Sequence, residues 1–138
     1  MKVILTPQES EEIFYTALCN SLAYVENGYE LNLTFFTAHY DDARKTLRGD
    51  GKGMPQFPDL AICYEDVLMQ ILRNGNTLTL KDVGCEGAYT STITLQDVHE
   101  RVQEAPINHL MDAINETGDA VTGDVILQQV FFKEVIFG

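Results

Sequence analysis

No stretch of this chain approaches the roughly 20 consecutive apolar residues that a bilayer-spanning helix requires. Its first residues, Met-Lys-Val-Ile-Leu-Thr, lack the apolar core of a secretory signal. Cysteine is scarce as well: Cys19, Cys63 and Cys85 are odd in number, far apart and form no CxxC pair. That usage argues against a disulfide framework and for reduced thiols in a cytoplasmic protein. The three histidines, His39, His99 and His109, are not arranged in the close pairs that zinc sites use. Positive charge is the other shortage. Nine Lys and Arg stand against 21 Asp and Glu, for a net charge of −12, a balance that repels nucleic acid and anionic membrane.

What is present describes a globular domain. A length of 138 residues suits a single domain spanning 1–138, and an apolar fraction of 45% supports a core. The acidity is uneven. Residues 59–138 hold thirteen acids and four bases, and within them 82–124 hold nine acids and only Arg101. The one basic cluster is Arg44, Lys45, Arg48 and Lys52.

Periodicity and punctuation predict the elements. Met1–Leu5 is a short strand candidate. Thr6-Pro7-Gln8-Glu9 reads as a capping box with Pro at the first helical position. Ile13, Phe14, Ala17, Leu18 and Leu22 keep helical spacing, and Asn27-Gly28 supplies a stop. Tyr29 to Phe35 alternates as a strand. Thr37 is placed to cap a helix through Leu47. A Gly- and Pro-containing loop occupies 49–58, and a third helix runs to Arg73 before Asn74-Gly75. Segments 77–83 and 89–94 are β-rich around Gly84-Cys85-Glu86-Gly87-Ala88 and predict a hairpin. Thr94 with Asp97 opens another helix, broken near Pro106. Ile107, Leu110, Met111 and Ile114 mark the next, ending near Gly118. The apolar clumps after Ala120 predict a buried helix to about Phe132 and a short extended end. The expected class is α+β, with about four strands including a β-hairpin near 77–94 and helices mainly on one face.

Arg48-Gly49-Asp50-Gly51-Lys52-Gly53 is glycine-rich and basic, but a phosphate loop needs strand, GxxxxGK[ST], then helix. Here a helix precedes the glycines and no Ser or Thr follows Lys52. The segment reads as a surface loop that concentrates positive potential. With Phe57, held between Pro55 and Pro58, it makes Arg44, Lys45, Arg48, Lys52 and Phe57 the expected partner contacts. Cys85 sits in the hairpin loop beside the acidic Glu86, with no cation next to it to activate a thiol. Cys19 and Cys63 fall on helices and read as core or near-core thiols. No catalytic, cofactor or metal residues are assigned.

The runs Tyr64-Glu65-Asp66-Val67-Leu68-Met69-Gln70, Leu95-Gln96-Asp97-Val98-His99-Glu100-Arg101-Val102 and Phe131-Phe132-Lys133-Glu134-Val135-Ile136-Phe137-Gly138 give the C-terminal half its texture. That half resembles small acidic proteins of gut-bacterial genomes and mobile elements. The resemblance implies no activity and assigns no residue a role. The favoured reading is a non-enzymatic interaction or accessory protein of a bacterial cell or mobile element, with another protein as partner. The alternatives are an acidic inhibitor that mimics DNA and an enzyme whose site is unrecognised.

Overall fold

A computed structural model describes residues 3–48 and 62–138. It is α+β. Helices α1 (Pro7–Tyr29), α2 (Thr37–Arg48), α3 (Tyr64–Arg73), α4 (Leu95–Arg101), α5 (Ile107–Ile114) and α6 (Ala120–Phe132) accompany strands β1 (Leu31–Thr34), β2 (Leu78–Asp82) and β3 (Ser91–Ile93). The sheet is antiparallel in the order β1-β2-β3, with Leu33 opposite Leu80 and Leu78 opposite Ile93.

Three strands, not four, are found among the described residues. The difference lies at the N-terminus. Residues 3–5 join no ladder. The Leu5 amide donates instead to the Gln103 side chain at 3.0 Å, while Val3 and Leu5 pack on the core. A short apolar run thus found a side-chain acceptor and a hydrophobic surface, which remove the need for a partner strand.

The first helix begins as its capping box dictates. The Thr6 hydroxyl accepts from the Glu9 amide at 3.1 Å, and the Glu9 carboxylate accepts from the Thr6 amide at 2.8 Å. It does not stop at Asn27-Gly28. It runs to Tyr29 and ends on Glu30, which takes the left-handed conformation (φ 55°) and donates its N–H to the Glu26 carbonyl. Thr37 is also displaced from its expected role. It is the first residue of α2, and the Phe36 carbonyl accepts the opening bonds from His39 and Tyr40.

Leu31, Leu33, Leu78, Leu80 and Ile93 turn to the core, while Asn32, Lys81 and Thr92 face solvent. Both outer strands are tied to helices, which blunts open sheet edges. The Glu26 carboxylate accepts from the Leu33 amide at 2.9 Å, and the Ser91 hydroxyl donates to the Phe131 carbonyl. Asp82, 2% exposed, shapes the hairpin by accepting from the amides of Cys85 at 2.8 Å and Tyr89 at 3.0 Å.

Helix α6 is the centre of the molecule. Every residue from Thr122 to Phe131 is buried, so the helix has no solvent face. Burying Ile126, Leu127, Val130 and Phe131 contributes roughly 1.5–3 kcal/mol each, an upper estimate. The antiparallel partner is α1, which meets α6 through Phe14 against Phe131 (ring centroids 6.2 Å apart) at one end. At the other, the Ser21 hydroxyl donates to the Ala120 carbonyl at 2.7 Å.

The polar side chains on this buried helix fasten the chain's end. Gln128, 1% exposed, accepts from the amides of Ile136 and Phe137 at 2.8 Å each. It donates to Asp124 at 2.7 Å and to the Phe137 carbonyl at 3.0 Å. Phe137 in turn stacks on Tyr29, with centroids 4.9 Å apart. The Tyr29 hydroxyl donates to Asp124 at 2.5 Å; burial and that carboxylate push its pKa well above the ordinary value. The extended tail is thus a docked part of the fold.

Candidate functional site: a groove between α1 and α5

Helices α1 and α5 both pack on α6, and a half-open groove of about 350 Å³ lies between them. Its volume falls at the lower end of the range for ligand sites, roughly 300–1,000 Å³. Ile13 and Ala17 of α1 and Thr122, Gly123 and Ile126 of α6 form the buried surface. Ala113 and Ile114 of α5 form the opposing side. Glu9, Glu12, Thr16 and Asn20 stand on the solvent side of α1, and Glu116 and Asp119 on the turn between α5 and α6.

The local sequence explains this shape. Glu9, Glu12 and Ile13, Thr16 and Ala17, and Asn20 recur at helical spacing. That strip spans about 16 Å at a rise of roughly 1.5 Å per residue. The α5–α6 turn is compact. Glu116 adopts the left-handed conformation (φ 58°), and Asp119 accepts from the amides of Val121 at 3.0 Å and Thr122 at 3.1 Å. A Cβ on Gly118 would stand 2.9 Å from the Thr122 methyl carbon, so only glycine allows this approach without a shift. The turn carries Glu116 and Asp119 to the rim.

Among the described residues, the four ionisable side chains that line the groove are all acids. Hydrogen bonds to Thr6 hold the Glu9 carboxyl below the usual carboxylate range, so it stays charged at neutral pH. The acids ring the groove without converging: among the described residues no three His, Cys, Asp or Glu side chains are placed to share a metal ion.

The groove continues into an apolar stripe. Ile107, Met111 and Ile114 recur at i, i+4 and i+7 along α5 and are 45%, 38% and 37% exposed. Only Leu110 of this helix is buried. The sequence pattern treats these four residues alike; packing separates one from three.

Three of the five expected contact residues lie elsewhere. Arg44 and Arg48 are half-buried on α2 and Lys45 is exposed; none of the three lines the groove. Lys45 and Arg48 sit in the last turn, where cations offset the helix dipole. Lys52 and Phe57 fall outside the described residues.

The nucleophile candidates are poorly equipped. All three cysteines are exposed, not core or near-core thiols, because Cys63 is the N-cap of α3 and Cys19 lies on the outer side of α1. Cys63 donates to Asp66 at 3.0 Å and contacts the Tyr15 hydroxyl at 3.6 Å. Partial burial, with the charges of Glu65 and Asp66 nearby, pushes the Cys19 thiol up, which disfavours the thiolate. His99 bonds to Glu11 at 2.8 Å, and no hydrogen bond among the described residues joins it to Cys85. At the groove's edge His109 Nδ1 meets Thr122 Oγ1 at 3.2 Å. Among the described residues no carboxylate hydrogen-bonds that imidazole, so the orienting third group of a nucleophile–base relay is missing there.

Two further observations bear on the chain's setting. Among the described residues no helix is long and apolar enough to cross a membrane. No protein-family model, curated protein or solved structure matches the chain.

Proposed function

We propose that the chain is a non-enzymatic interaction protein that holds a protein partner in the groove between α1 and α5. The observation that carries this reading is the continuity of that groove with the exposed Ile107, Met111 and Ile114 stripe. Exposed apolar side chains scattered singly are ordinary. Three in register on one helix, running into a concavity with an apolar base, are the composition of a docking surface. A role beside the cellular or mobile-element machinery of a bacterium accords with the texture of the C-terminal half.

The DNA-mimic alternative draws less support from this arrangement. Of the nine acids in 82–124, Asp82 and Asp124 turn inward and serve internal hydrogen bonds. Asp97, half-buried, caps α4. A phosphate-like row would need these groups free on one face.

The test uses a photo-crosslinking amino acid placed singly at Thr16 in the groove, at Lys45 on α2 and at Thr92 on the open sheet face, in cells that express the chain. The expected outcome is a discrete crosslinked protein from position 16 alone, mapped by mass spectrometry to one segment. Crosslinks from position 45 instead would move the function to the basic cluster. No crosslink from any position would overturn the interaction reading.

A further inference from the structure

We infer that the occupant of this groove is a basic amphipathic helix of the partner protein; the inference rests on the docking reading above. The groove joins two packed helices on a third, with an apolar base formed by Ile13, Ala17 and Ile126. A single added helix would bury the apolar groups of both the groove and the α5 stripe. Its anchors would follow the i, i+3/i+4, i+7 spacing of helix-in-groove recognition. The α1 strip, about 16 Å long, matches roughly three turns of such a helix. The volume of about 350 Å³ suits anchor side chains, with the helix backbone resting above.

Charge selects the occupant further. Glu9, Glu12, Glu116 and Asp119 surround the apolar base, and no cation among the described residues lines it. A second copy of this chain carries a net charge of −12 and would be repelled, as would nucleic acid or an anionic lipid surface. Lysine or arginine flanking the apolar anchors would pair with the rim, where long basic side chains can lie along the groove wall while their charged heads stay solvated.

The probe is a synthetic peptide of about 18 residues made of leucine and lysine, with leucines at the anchor spacing. Three controls accompany it: a scrambled peptide of the same composition, a version with glutamate for lysine, and spermidine. Binding is followed by fluorescence anisotropy and by amide chemical shifts. We expect saturable binding with shifts centred on Ala17, Ala113, Ile114 and Ile126. The scrambled and glutamate peptides should bind at least about tenfold more weakly, and spermidine should leave the base of the groove unshifted. Thr16→Trp, which fills the groove from its solvent side, should weaken binding at least about tenfold. Glu12→Lys with Glu116→Lys should do the same while leaving the thermal melt in place, since both residues are exposed. Equal binding of the scrambled or glutamate peptide, equal shifts with spermidine, or shifts centred elsewhere would each overturn the inference. So would crosslinking from position 16 to an acidic or extended segment, which would leave the docking reading standing. The absence of any crosslink would remove that reading itself.

Discussion

A methyl group at Gly123 would have to enter space that α1 already occupies. Built on the present backbone it would fall inside the Ser21 hydroxyl, 2.9 Å from Ser21 Cβ and 3.4 Å from Ala17 Cα. Gly123→Ala therefore sets two effects against each other. Alanine in a helix interior gains about 1 kcal/mol over glycine. Against this, the Ser21 side chain must leave its bond to the Ala120 carbonyl, at about 1 kcal/mol, and the helices must separate by a few tenths of an ångström. Overpacking of this kind costs about 1–3 kcal/mol. The net expectation is a loss of about 2 kcal/mol by urea denaturation. Pairing the change with Ser21→Gly isolates the cause, because that substitution empties the contested space. A double-mutant cycle should then show a favourable coupling of about 1–2 kcal/mol between positions 21 and 123. Additivity within about 0.5 kcal/mol, or a Gly123→Ala variant as stable as the parent, would refute the close α1–α6 crossing. The groove would be affected as well, since Ala17 and Gly123 both line it.

Other perturbations test other joints. Gln128→Met keeps the side-chain length but deletes four hydrogen bonds, one buried and three half-buried, so it should cost about 2–4 kcal/mol and expose residues 135–138 to carboxypeptidase; a loss under about 1 kcal/mol with the tail still protected would contradict the clamp. Thr6→Ala removes the hydroxyl that caps α1 and should lower the urea midpoint by an amount equivalent to about 0.5–2 kcal/mol. Burial alone would raise the Glu11 pKa, but its bonds to Arg73 and His99 hold it below the ordinary value near 4.5. A lowered carboxylate stabilises the fold above its unfolded pKa and loses that contribution as pH falls through the folded one. Glu11→Gln should therefore flatten the decline of stability below about pH 4.5, and an unchanged acid limb would argue against the cluster.

The local grammar of the chain was readable wherever a side chain answers its own backbone. Thr6 with Glu9, and Thr94 with Asp97, form the capping boxes that their spacing predicts. The hairpin formed around residues 83–90, and the clumped apolar residues after Ala120 became a helix buried on every side. Local grammar failed where a distant group intervened. Residues 3–5 did not form a strand, because Gln103, nearly a hundred positions away, took the Leu5 amide. Gly28 missed the end of α1 by a single residue for a local reason, since the helix runs on to Tyr29 and enters β1 through a left-handed Glu30.

The groove was illegible for a related reason. Glu9, Glu12, Thr16 and Asn20 look in the sequence like any solvated helix face, and nothing local reveals that α5 stands across from them. The one available signal was a surplus. Ile107, Leu110, Met111 and Ile114 give α5 more apolar length than an eight-residue helix could bury against a neighbour that is already enclosed. Helix α6 spends its surface on α1, the sheet, α4 and the tail. That leaves room for Leu110 and little for the rest. The same central helix that gives the domain its core thus leaves α5 partly uncovered, beside a gap that α1 lines with carboxylates. An apolar stripe produced this way would attract indiscriminate association unless charge restrained it. In a chain this acidic the restraint comes with a preference, since the rim opposes an anionic surface and attracts a cationic one.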